Sequence, residues 1–307
     1  MSLALGDDPV GLRTLEPKTM TTTKTVTQGN AVTRAMSTAG TALLLLGTLA
    51  SSANAQSAAE VIDRMLTEHE RRSAAVDDYT LVQEVMGLET ISYFEKQMVD
   101  GRPVFQLRRT GAMGMEMDSP TEGTLDEIYA MGEDLAESAR YVGREAVGGS
   151  DAHVLDLPDL QGTDFGRNMS PDSEFTPTSG RFYVDADTYV PLRMDFEGEM
   201  TTEQGTSPIR STIEMSDYRE VEGMLMPYRT DVRIEGLGAA IDDETRAEFE
   251  KMQSELEQMP EAQRRMVEAM MADQLAQFRQ MMEDDSAPML VEVVVREIRV
   301  NTGPPGN

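Results

Sequence analysis

Late in the chain apolar and polar side chains alternate over several successive runs. Leu192, Met194 and Phe196 alternate with Arg193, Asp195 and Glu197; Ile213 and Met215 face away from Thr212 and Glu214; Val232 and Ile234 alternate with Asp231, Arg233 and Glu235. Successive residues of a strand point to opposite faces of its sheet, so each run builds one dry face and one wet face. The dry face must then be covered by something else in the chain.

Earlier segments extend the pattern. YTLVQEVMGL (79–88) and TISYFEKQMV (90–99) are rich in β-branched and aromatic residues, and Asp100-Gly101 is a hairpin turn before RPVFQLRR. Three consecutive antiparallel strands are expected there. ARYVGREAVGG and SDAHVLDLPDL make another pair joined at Gly148-Gly149, and residues 161–179, rich in Gly, Pro, Ser and Asp, read as an irregular surface loop. Covering helices are expected at AAEVIDRMLTEHERR, where Val61, Ile62, Met65 and Leu66 form one stripe, and over 125–139.

A helical period interrupts the strands at 241–285. Thr245, Phe249, Met252, Leu256 and Met259 recur at alternating spacings of four and three, and Pro260 ends one helix and opens the next. The second helix carries Val267, Met270, Met271, Leu275, Phe278, Met281 and Met282 on one face. Two uses compete for this helical-hairpin insertion. Its stripes either bury each other, or they leave Met266, Met270, Met271, Phe278, Met281 and Met282 as a lid or partner surface, a use to which soft thioethers are suited. The predicted fold class is α+β, a strongly curved antiparallel sheet with covering helices and this insertion near its C-terminus.

Lys24 and Arg34 precede the apolar run TALLLLGTLA, and Ala53 and Ala55 follow at the small-x-small spacing of a signal-peptidase site. Residues 1–55 are therefore expected to be a signal peptide with an upstream segment, cleaved before Gln56, and 56–307 a single exported, periplasmic domain whose tail, 301–307, is disordered. With no cysteine the chain has no disulfide, no thiolate zinc site and no lipid-modified cysteine. A formal net charge of −28 repels phosphate backbones and acidic headgroups, which argues against nucleic-acid partners and attachment to anionic lipid.

Little in the sequence points to catalysis. HExxH, GxSxG and a glycine-rich phosphate loop are all missing, and the two histidines, His69 and His153, read as surface residues. Asp185-Ala186-Asp187 lacks the glycine and distal glutamate of a calcium loop and reads as a hairpin turn. Met113, Met115 and Met117 alternate as in a copper(I) site but read as an apolar loop. No enzyme activity, cofactor or metal is expected.

RYVGREAVGGSDAHVLDL, RFYVDADTYVPLRMDFEGE and IEMSDYREVEGMLMPYRTDVRI, preceded by an amphipathic helix and a meander, resemble the LolA/LolB-like group of outer-membrane lipoprotein-sorting proteins. The likeness covers roughly 58–235 and the last strand. It implies a half-open β-barrel around an apolar cavity roofed by helices, and a periplasmic carrier that binds lipid or lipoprotein acyl chains, with no catalysis. Leu192, Met194, Phe196, Ile213, Met215, Val232 and Ile234 are the candidate wall of that cavity. The absence of cysteine excludes the lipid-anchored type, and the insertion at 241–285 departs from the family pattern. A second function class therefore stays open, an envelope protein-interaction or stress-sensing module that docks a partner through the methionine-rich hairpin.

Overall fold

The structure, a computed structural model, describes residues 56–305 except 100, 113–114, 118–124, 170–174, 203–204 and 242. The signal-peptide expectation and Met113 lie outside the described residues, as do the side chains of Met115, Met117, Met266, Met270 and Met271.

Eleven strands form one antiparallel sheet: β1 (Asp78–Val85), β2 (Leu88–Val99), β3 (Arg102–Ala112), β4 (Met115–Met117), β5 (Arg140–Val147), β6 (Ser150–Leu157), β7 (Phe175–Asp185), β8 (Pro191–Thr202), β9 (Gly205–Val221), β10 (Met224–Glu235) and β11 (Met289–Val300). Their spatial order is β4-β3-β2-β1-β11-β10-β9-β8-β7-β6-β5. Two meanders, each of sequence neighbours, are thus joined by the pairing of β1 with β11. With the helices the fold is α+β.

Helix α1 (Ala58–Arg72) starts at a reciprocal cap. The Ser57 hydroxyl accepts from Glu60 N–H at 3.1 Å, and Glu60 Oε2 accepts from Ser57 N–H at 2.8 Å, so two orphan donors are satisfied. Its stripe of Val61, Ile62, Met65 and Leu66 is buried, as its spacing predicts. The helix expected over 125–139 is two, α2 (Leu125–Ala130) and α3 (Gly132–Ser138). A Cβ on Gly132 would lie 2.6 Å from Leu66 Cδ2, so this glycine lets α3 meet α1 at close range.

The stretch 161–179 is more regular than its composition suggests, holding α4 (Asp164–Met169) and the first residues of β7. The tail also corrects the expectation of disorder in its first residues. Asn301 Oδ1 accepts from Asp77 N–H at 2.7 Å, its amide donates to the Ala75 carbonyl at 3.0 Å, and Gly303 N–H donates to Asp78 Oδ1 at 2.9 Å. A short helix, α5 (Leu237–Ala240), then α6 (Asp243–Gln258) and α7 (Glu261–Glu283), with Pro260 between the last two, separate the paired strands β10 and β11.

Candidate functional site

Residues directly opposite in an antiparallel pair share a face, so the registers trace the dry side of the sheet. Phe182 opposes Met194, Met194 opposes Ile213, Ile213 opposes Val232, and Val232 opposes Val291. A second row runs Met215, Thr230, Val293, Val85, Leu88. A third runs Phe196, Ser211, Ile234, Met289.

Two packing centres border this face, one along β7–β9 and the other at the Tyr79 end of β1 with its neighbours β2, β10 and β11. In one, Met194, Phe196 and Met215 meet Val61, Ile62, Met65 and Leu66 of α1 and Leu135 of α3. In the other, Tyr79, Phe94 and Phe105 meet Met224 and Met226. Toward the β1–β2 turn, away from the second centre, Val232, Ile234, Val291, Val293, Val85 and Leu88 are only half-buried, as is Ile213, which packs against the first centre. The result is a half-exposed apolar strip, the trough, on β9, β10, β11, β1 and β2, with four strand spacings of about 4.8 Å across it, so about 19 Å wide.

Of the seven expected wall residues, six share this face: Met194, Phe196 and Met215 are buried core, while Val232, Ile234 and Ile213, which packs against that core, are half-buried. Leu192 does not. Tyr183 opposes Arg193 and Val184 opposes Pro191, so Leu192 is an extra residue in a bulge, and it packs with Ala152, Val154 and Tyr183 in a separate cluster.

The helical pair does not spend its described apolar residues on the trough. Phe278 and Met282 of α7 pack with Phe249, Met252 and Leu256 of α6, the Phe249 and Phe278 ring centroids being 4.5 Å apart, and Met281 is buried. Gln277 accepts from Leu290 N–H at 3.0 Å. It borders a cleft of about 580 Å³ on the opposite, charged face, beside Glu214, Arg229, Asp231, Arg233 and Glu292. There Arg229 is ion-paired to Asp231 and Glu292, and Arg193 to Glu214.

The histidines correct the sequence reading: His153 is fully buried, and His69 is half-buried with its Nε2 enclosed. His153 is fully buried between the rings of Tyr141 and Tyr189, and burial, with the Arg144 charge, holds its pKa below the ordinary value. His69 stacks on Tyr129 with centroids 3.7 Å apart; burial first, then the charges of Arg72 and Lys96, push its pKa down to about 4. A histidine in the middle of an amphipathic helix or an alternating strand carries no mark of burial in sequence.

Asp185 closes the expected turn, accepting from the amides of Asp187 at 3.0 Å and Thr188 at 2.7 Å. Burial opposes its charge, but these hydrogen bonds prevail and hold its pKa below the ordinary value. Among the described residues no three His, Asp or Glu side chains converge to hold a metal, and no helix is long and apolar enough to cross a membrane.

Among solved structures the chain is similar to a DUF1329 family protein from Desulfovibrio piger, at 12% identity and TM-score 0.39 over 81% of this chain and 93% of that one. It is also similar to a LolA superfamily protein from Nitrosomonas europaea, at 8% identity and TM-score 0.32 over 79% and 94%. A third neighbour is the lipoprotein LppX of Mycobacterium tuberculosis, at 7% identity and TM-score 0.20 over 47% of this chain and 90% of that one. No protein-family model matches the chain, and no curated protein matches it in sequence.

Proposed function

We propose that this chain is an exported, periplasmic carrier whose single domain, 56–307, curves as a half-open barrel and holds an acyl chain of a lipid or lipoprotein along the trough. The observation that carries this reading is the run of half-buried aliphatic residues from Ile213 through Val232, Val291 and Val293 to Val85, all on one face at the ends of the strands away from the Tyr79 packing centre. A sheet that packs one end of a face and leaves the other half-exposed keeps apolar area available for a guest.

Burying ten methylenes would contribute about 8 kcal/mol at 0.8 kcal/mol each. That corresponds to a Kd of about 1 µM before the costs of immobilisation, so reversible, micromolar binding suits a carrier. Delivery of lipoproteins to the outer membrane is the specific task this reading favours.

The helical pair at 241–285 is then a projection that packs on itself. Delipidated protein titrated with a fluorescent fatty acid tests the reading, alongside a variant in which a short Asn-Gly turn replaces 237–286. Saturable, micromolar uptake by both supports the carrier. No uptake by folded wild-type protein overturns it, and capture of an envelope protein that depends on α6 and α7 would then favour an interaction module.

A further inference from the structure

We propose, building on the reading of the trough as an acyl site, that the side-chain amide of Gln83 receives the polar head of the guest, and that this head is uncharged, an amide in preference to a carboxylate. The registers place Gln83 at the inner end of the trough. On β1 it stands between Val85, a trough residue, and Leu81, which packs against the second centre. Alternation along the strand puts all three on one face, with Gln83 about 7 Å from Val85. Across the strands it faces Val295 of β11 and Thr90 of β2.

Gln83 is only 9% exposed, and the polar side chains beside it on this face are already paired. Ser92 Oγ and Thr110 Oγ1 are 3.1 Å apart, and the Thr90 hydroxyl donates to the main-chain carbonyl of Gln83 at 3.4 Å. Among the described residues no group bonds to the Gln83 side chain itself. Buried side-chain polar atoms are paired in the great majority of cases, so an unpaired amide at the end of an apolar trough marks where the polar atoms of a guest belong. A guest can reach it. The Nε2 atoms of His69 and His153 are sealed by protein atoms, whereas neither polar atom of the Gln83 amide is.

The chemistry of the site favours a neutral head. A carboxamide has N–H donors and a carbonyl acceptor, so it is fully satisfied only by a group that both donates and accepts. An amide does both. A carboxylate accepts only, and it leaves the Gln83 carbonyl oxygen bare. The flanking side chains on this face, Leu81, Val85, Thr90 and Val295, carry no charge. A carboxylate that shed its water among them would meet no cation to offset the loss.

Dodecanamide and dodecanoate share a tail and differ in the head, and their displacement of a fluorescent fatty acid from the delipidated full chain compares them. Dodecanamide should bind at least about tenfold more tightly, since the carboxylate leaves a buried polar group unpaired. In Gln83→Met, which keeps the length of the side chain without its amide, the ratio should fall to about twofold or less. In the wild-type chain the side-chain N–H signals of Gln83, assigned by nuclear magnetic resonance, should shift saturably with dodecanamide. That readout stands even if the variant fails to fold. Equal affinities on the wild type, a preference undiminished in Gln83→Met, or Gln83 signals that do not respond would each overturn the role of Gln83 while leaving acyl uptake intact. If neither compound binds, the trough fails as an acyl site and the role of Gln83 fails with it.

Discussion

Met194 and Ile213 stand directly opposite each other on β8 and β9, yet Met194 is 6% exposed and sealed under α1, while Ile213 is half-buried. Ile213 packs against the same cluster, so the core thins into the trough across these two neighbouring strands. Met194→Ala should cost about 2–5 kcal/mol of stability, the range for truncating a buried methionine. Val232→Asp, next across from Ile213, should cost about 1 kcal/mol and lower fatty-acid affinity at least about tenfold, because its carboxylate would sit where methylenes bind. Urea unfolding and dye titration separate the two effects, and a Val232→Asp protein that binds normally would remove the trough as the site.

Tyr79 and Asp126 make a buried pair, the phenol hydroxyl donating to Asp126 Oδ2 inside the second packing centre. Burial raises the Tyr79 pKa well above its ordinary value, and the adjacent Asp126 charge adds to the rise, so the hydroxyl remains a donor. Tyr79→Phe keeps the ring stacked on Phe94 but takes a donor from a buried carboxylate. A loss of about 1.5–3 kcal/mol is expected in urea unfolding, with the far-ultraviolet circular dichroism unchanged.

Much of this architecture was legible in period and turn chemistry. The amphipathic first helix, the meander, the Pro260 break between α6 and α7 and the shared face of Ile213, Val232 and Ile234 all follow from local pattern. What escaped depends on contacts distant in sequence. Leu192 is in phase with Met194 by spacing alone, and only the register of β7 against β8 reveals the bulge that turns it to the other face. The helical pattern over 125–139 breaks at Met131, and only the fold shows that Gly132 lets Leu66 lie against α3. Asn301 looks like the start of a loose tail until its contacts with residues 75–78 are seen. The trough itself is a difference in burial among equally apolar residues, which composition cannot express.

Phe249 and Phe278 hold α6 to α7, and that cluster is separate from the packing centres of the sheet. Phe249→Ala should therefore loosen the helical pair without unfolding the strands. Hydrogen exchange should quicken about tenfold or more along α6 and α7, which reports a local opening cheaper by at least about 1.4 kcal/mol, while protection in β6–β9 stays constant. Equal loss of protection across the sheet would show that the pair and the sheet unfold together.

His69 also sets a dependence on pH. Its folded-state pKa of about 4 lies below the ordinary 6.5, so between these values the unfolded chain binds a proton that the folded chain refuses. Stability from this group is therefore complete above about pH 6.5, falls as pH drops through the window, and levels off below about 4. The shift corresponds to a loss of up to about 3 kcal/mol. His153 is lowered in the same direction by its own burial and adds to the slope. Because the many carboxylates begin to titrate near the lower end of the window, the decisive quantity is the difference between wild type and His69→Phe, which keeps the stack on Tyr129 but has no proton to take up. Measured by urea unfolding at intervals from pH 7.5 to 4, the stability of the wild type minus that of the variant should fall as pH falls, by up to about 3 kcal/mol, since only the wild type suffers this loss. Parallel curves would mean that the imidazole takes up its proton in the folded chain as readily as in the unfolded one, and that its place between Tyr129 and Phe105 is wetter than the packing of those rings implies.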